Sequence, residues 1–197
     1  MSMQIARLGE IIEASIPAFT AQCHRLGEPP PLGAIVRTGD GNIDLYGVVC
    51  NASTGSMDPG RHFIALGQDE ETEEDIQRSH PELTQLLRTV FDVLVVAHRS
   101  SGTVRPHLPP RPARIHAFVH EAAPEEVLAL TSPPGFLHTL ANATVPTRDD
   151  ALAACLRLAA ALHDDPEAFL VQGGKELARL LARDTQRLGV ILRQLRG

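Results

Sequence analysis

Tryptophan is absent from this 197-residue chain, tyrosine occurs once, and aromatic residues make up only 4% of it. Stacking platforms for single-stranded nucleic acid are therefore scarce. Positive charge is also short: 18 lysines and arginines face 24 aspartates and glutamates, for a formal net charge of −6. That balance argues against general affinity for phosphate backbones or anionic membranes, so nucleic acid is not expected as a primary partner. Cysteine is sparse. Cys23, Cys50 and Cys155 are far apart and odd in number, which suits neither a disulfide framework nor a Cys-x-x-Cys zinc or redox motif. No apolar run approaches the roughly 20 residues that span a bilayer. Residues 1–13 lack a basic stretch followed by an apolar one, the mark of a secretory signal. The expectation is a cytoplasmic protein with no membrane partner.

What is present is enough apolar residue, 43% against 21% charged, to bury one ordinary core. Residues 19–24 alternate apolar and polar, the period of a half-buried strand. Residues 32–37 form a second short run, closed by the turn-favouring cluster at 38–42, and residues 43–50 resume as a strand. Gly47 inside that strand marks a bulge or a close backbone approach. Residues 5–14 read most simply as the first strand, although their periodicity also fits half a helix. Residues 51–68 are rich in turn formers and read as a long excursion.

Two helix starts follow, Thr72 with Asp75 and Ser79 with Glu82, both fitting a capping box. Residues 90–97 are apolar but for Asp92, and half of them are valine, as in a strand buried on both faces. Further strands are expected at 103–105 and 114–120, around a proline-rich linker at 106–112. From Pro124 the pattern turns helical, with Thr147 and Asp150 capping a segment to about His163, and Asp165-Pro166 opening another. At about 100° per residue, Leu177, Leu180, Leu181, Leu188, Ile191, Leu192 and Leu195 fall on one stripe of a last helix, with Asp184 inside it. A carboxylate there is expected to meet an arginine, a histidine or backbone N–H groups, or to reach water at the margin. The fold class is α+β. A small N-terminal β-barrel over residues 1–122, with a helical insertion near 72–89, precedes a C-terminal helical region at 123–197. Val36, Val48, Val93 and Val95 are its expected inward residues.

Leu8-Gly9-Glu10-Ile11, Phe19, residues 31–36 and residues 46–49 together resemble the HAS-barrel, the small barrel ahead of the motor in HerA-type ATPases and ATP synthase subunits. The whole chain is similar to a family of cyanobacterial HAS-barrel proteins of like length, through residues 46–53, 108–116 and 173–177. The resemblance implies a barrel fold and a relationship, not an activity. A P-loop requires a glycine-rich turn ending in Gly-Lys-[Ser/Thr]. Here Gly174-Lys175 is followed by Glu176, and the earlier glycine position is Phe169. The resemblance therefore implies the barrel without its motor, and no ATPase activity is expected.

Arg105, His107, Arg111, Arg114 and His116, with prolines among them, make the most site-like patch. Guanidinium forks on a stiff backbone suit a carboxylate, a phosphate or a protein partner. The alternative is a surface loop whose arginines pair with the acidic run at 69–75. His116 and His120, four apart, suggest a metal only if a third ligand joins them, and otherwise are the polar face of one strand. No Gly-x-Ser-x-Gly elbow or His-Glu-x-x-His helix is present, so no catalytic residue, cofactor or metal is assigned. The expected function is a non-catalytic interaction or assembly module that binds its own copies or a protein partner, an ATPase among the candidates. A small-anion-binding or regulatory protein, and an enzyme of unknown type, are the alternatives.

Overall fold

The computed structural model describes residues 7–58, 60, 64–66, 68 and 71–195. Six strands make a closed antiparallel barrel: β1 (Arg7–Ala14), β2 (Ala18–Cys23), β3 (Ile35–Gly39), β4 (Ile43–Ser56), β5 (Leu87–Ser100) and β7 (Phe118–Glu121). Their order around the barrel is β2-β1-β7-β3-β4-β5, and pairing of β2 with β5 closes it. The short β6 (Thr103–Arg105) adds to the free edge of β5. Every pairing is antiparallel.

The interior holds Ile11, Phe19, Ala21, Val36, Val49, Phe91, Val93, Val95 and Val119. A second cluster lies outside the wall, where Ile35, Tyr46, Val48, Leu94 and Val96 meet the helices. This arrangement explains why residues 93–97 are continuously apolar. One face of β5 fills the barrel while the other lies under helices. Val36, Val93 and Val95 point inward as expected, but Val48 belongs to the outer cluster. The two bulges in β4, at Tyr46/Gly47 and Val49/Asn51, shift the alternation there. Gly47 serves both anticipated purposes, since a Cβ on it would strike Val93 and the Leu94 carbonyl.

β4 runs six residues past Cys50, so the first part of the expected excursion is strand. Asn51 to Ser56 pair with Asp92 back to Leu87, and this β4–β5 ribbon extends beyond the barrel. Beyond it lie α1 (Glu73–Ser79), capped by Thr72 from the Asp75 N–H, and α2 (Leu83–Leu86). Ser79 opens no helix; it is the last residue of α1. The helical insertion thus ends at Leu86, and β5 begins at Leu87. The strand expected at 114–120 is displaced, because β7 starts only at Phe118 and residues 115–116 form a turn.

The remaining helices are α3 (Pro124–Thr131), α4 (Leu137–Ala141), α5 (Arg148–Ala160), α6 (Pro166–Leu180) and α7 (Thr185–Leu195). α5 is central: its alanines, Leu152, Cys155 and Leu156 are buried between the barrel wall and the other helices. Thr147 precedes it, yet its hydroxyl does not cap the helix. It donates to the Cys50 carbonyl at 2.5 Å and ties the helical layer to β4. The single last helix read from the leucine stripe is two helices. The chain breaks after Leu181, and Asp184 is exposed, accepting from the Arg187 N–H at 3.0 Å as the cap of α7. Arg187 then clamps α7 to its neighbours through Asp149 of α5 (2.6 and 2.9 Å) and the Ala141 carbonyl of α4 (2.8 Å). Among the described residues, no helix is long and apolar enough to cross a membrane.

Candidate functional site

The proline-rich segment between β6 and β7 is fastened over one end of the barrel interior. His98 Nδ1, on a ring only 5% exposed, lies 3.1 Å from the His107 carbonyl. Further along, the Ile11 N–H donates to the Ala117 carbonyl and the His116 N–H to the Ile11 carbonyl. The buried Thr38 hydroxyl donates to the Phe118 carbonyl. Ala113 and Ala117 pack against the interior cluster, so the loop stoppers this mouth with small side chains. Between the loop and the β3–β4 turn opens a cleft of about 590 Å³.

Of the five residues expected in the patch, Arg111, Arg114 and His116 line this cleft. Arg105 lies exposed on β6, outside the cleft lining. His107 turns toward His98, the two rings edge-on with centroids 4.9 Å apart, and its Nδ1 reaches the Leu108 carbonyl. The patch is therefore three residues, not five. Among the described residues, neither Arg111 nor Arg114 forms an ion pair or a hydrogen bond. Their pairing with the acidic run, one alternative from the sequence, is not found among the described residues.

His116 sits at φ 67°, in the left-handed region that a non-glycine residue enters at a cost. The turn is held by the Ala117 N–H donating to the Arg114 carbonyl, and by Glu10, whose Oε1 is 2.5 Å from His116 Nδ1. His116 therefore lies in a turn and His120 in β7, and no single strand face carries both with Arg114. Among the described residues, no group of three or more His, Cys, Asp or Glu is placed to hold a metal ion. Asp40, on the other wall of the cleft, has its carboxyl lowered by the Ile43 and Asn42 N–H groups, with the Arg114 charge adding to them.

A second polar cluster has no counterpart in the sequence reading. Asp44, 2% exposed, accepts from Arg99 Nε at 3.1 Å and Nη2 at 2.5 Å, and from the Gly41 N–H. Arg99 also reaches Glu126 at 3.4 Å, as does Arg37 at 3.5 Å. Glu126 further accepts from the Tyr46 hydroxyl at 2.9 Å and the Ala123 N–H at 3.0 Å. Two guanidiniums thus balance two carboxylates, and the network seats the N-terminus of α3 on β3, β4 and β5. Burial, then the bond to Glu126, pushes the Tyr46 phenol up, so it stays protonated and donates. Arg37 Nε, buried and 3.5 Å from Glu126, is left in this cluster without a hydrogen bond. The Gly174-Lys175 pair lies inside α6, where the helix occupies the backbone groups that a phosphate loop would present.

The fold and the cleft define a small closed antiparallel β-barrel with a helical layer on one side and an arginine-bearing loop across one mouth. No protein-family model matches the chain, and no curated protein matches it either.

Proposed function

We propose that the chain is a non-catalytic interaction module of a larger assembly, related to the barrel collars of HerA-type ATPases and lacking the motor. The observation that carries this reading is the composition of the cleft. Arg111 and Arg114 have no ion-pair partner among the described residues, and around them Ile43, Ile115 and Phe118 are 40%, 49% and 40% exposed. Exposed apolar side chains beside uncommitted guanidiniums are the make-up of an interface anchor. The thiols point the same way. Burial raises Cys23 and pushes Cys50 to about 11 and Cys155 to about 12, far from the thiolate a nucleophile needs at neutral pH. The barrel resemblance puts an ATPase motor among the candidate partners.

The test is stoichiometric complex formation by the full chain, compared with the Arg111→Ala/Arg114→Ala variant. Loss of the complex in the variant supports the reading. Capture of the same partner by both proteins would place the contact elsewhere, and turnover of a substrate mapped to the cleft would overturn the non-catalytic reading. A small-anion site is the second reading, favoured by three cationic or ionisable side chains on one stiff loop. It predicts a thermal shift with phosphate or citrate that Arg111→Ala abolishes.

A further inference from the structure

We infer that the free edge of β4 beyond the barrel, residues 51–56, is a strand-addition site whose partner is the same edge of a second copy of this chain. This surface is separate from the arginine cleft and shares no residue with it. Met57 fixes which groups face outward. Its N–H donates to the Leu86 carbonyl at 2.9 Å, and the register with β5 runs unbroken from Asn51 opposite Asp92 to Ser56 opposite Leu87. Bonded and non-bonded pairs alternate in an antiparallel ladder, so Asn51, Ser53 and Gly55 bond to β5. Ala52, Thr54 and Ser56 therefore turn their N–H and C=O groups the other way. Nearer the barrel this edge is occupied: the Val49 N–H donates to the Ala34 carbonyl at 3.0 Å, and the Val49 carbonyl accepts from the Gly33 N–H at 2.9 Å. Past the bulge at Val49/Asn51, no strand pairs with it among the described residues, and none of the three outward residues has a further backbone bond.

Proteins that leave a strand edge open guard it with charge, proline, a bulge or a cover. Residues 51–56 hold no charged residue and no proline, and no bulge interrupts them. Residues 51–54 are exposed, and among the described residues nothing stands within 4 Å of a Cβ built on Gly55. The segment is also self-complementary. Set antiparallel about a two-fold axis at Thr54, that residue faces its own counterpart and Ala52 faces Ser56. All three outward pairs then exchange both main-chain bonds, about six in all. Threonine opposite threonine is a favourable cross-strand pair, and the small neutral neighbours put no like charges together. The edge thus meets its copy without repulsion although each chain carries a net charge of −6. The strand ends in a bend at residues 57 and 58, where the Asp58 N–H donates to Ser56 Oγ, so the free edge is no longer than the pairing needs. Two-stranded β structure is marginal in water, and joining the two β4–β5 ribbons makes one four-stranded sheet. The contact is isologous and closes as a dimer.

The experiment is sedimentation equilibrium of the full chain, with amide hydrogen exchange at low and high concentration. Wild type is expected to rise from the 21.3 kDa monomer toward twice that mass by about 500 µM, as suits a small, transient interface. Exchange should slow with concentration in peptides spanning residues 52–56. Because the edge is uncharged, about 1 M salt should leave the dimer in place. Thr54→Lys and Thr54→Glu should each stay monomeric with melting close to wild type, since like charges then face each other across the axis. Mixing the two should restore a dimer. Ala52→Pro removes an outward N–H without touching the ladder to β5, and should weaken the dimer at least tenfold. Arg111→Ala/Arg114→Ala should dimerise like wild type, which separates this edge from the cleft. A wild type that stays monomeric, or a dimer that neither Thr54 variant breaks, overturns the inference. So does a dimer that dissolves in salt or in the double arginine variant.

Discussion

Gly33 stands at φ +84°, and a Cβ there would lie 2.6 Å from Ala154 Cβ, against the backbone where α5 crosses the barrel. Any side chain at this position is both strained and in collision. Gly33→Ala should cost about 2–4 kcal/mol, from left-handed strain together with overpacking. A denaturant midpoint unchanged from wild type would show that α5 does not approach so closely. Tyr46 is constrained electrically rather than sterically. Its phenol is held above its ordinary value of 10.0, and Cys50 and Cys155 are held above 9.0 in the same sense. Between the unfolded and folded values, the folded chain binds more protons than the unfolded chain. Stability is therefore complete below about pH 9 and falls as pH rises further, first through the thiols and then through the phenol. Denaturant melts at increasing pH should show this decline, and Tyr46→Phe should make the part above about pH 10 shallower. An equally steep decline in that variant would remove Tyr46 as a cause. None of the Tyr46 network was legible in the sequence. Arg37, Asp44, Arg99 and Glu126 come from four separate elements, and no spacing rule connects them.

Periodicity made most elements readable, and the misreadings have local causes. β4 beyond Cys50 looked like loop because Asn51, Ser53 and Gly55 are turn formers. Its extension is held by tertiary pairing with β5, which single-residue preferences do not encode. Residues 114–117 alternate polar and apolar like a strand, but the left-handed turn at His116 bends them across the barrel mouth. The leucine stripe after residue 177 was real on each half, with Leu177, Leu181, Ile191 and Leu195 all buried. The one polar residue out of place, Asp184, marks the boundary between two helices and not a buried charge. Its capping role fixes a prediction at this scale. Asp184→Ala should cost about 1 kcal/mol, the usual loss for an N-cap, whereas Asp184→Asn should cost little. Thermal melts of the two variants decide it. Equal melting of Asp184→Ala and wild type would mean that the Arg187–Asp149 clamp alone holds α7 in place.

At the scale of the whole molecule, the barrel and the helices divide one sequence but share one outer core. The sequence marked a change from β to α near residue 122, and the element order follows it. What it did not disclose is how much apolar surface crosses that line. Tyr46, Val48, Leu94 and Val96 on the barrel wall are each under 10% exposed because α3, α4 and α5 cover them. A barrel fragment cut at 122 would present those side chains to water, along with Asp44 and Arg99 stripped of Glu126. Burial of this kind contributes about 1.5–3 kcal/mol per large side chain, a large part of the marginal stability of a domain. Barrel and helices are therefore expected to unfold as one cooperative unit. The single tyrosine makes this measurable, since Tyr46 sits at the junction and no tryptophan competes with its fluorescence. Its emission should follow the same denaturation curve as the helical far-ultraviolet ellipticity. The fragment 1–122 should be aggregation-prone or unfolded on its own. Two separated transitions, or a fragment that melts cooperatively like the full chain, would instead make the barrel an independent domain with the helices merely attached to it.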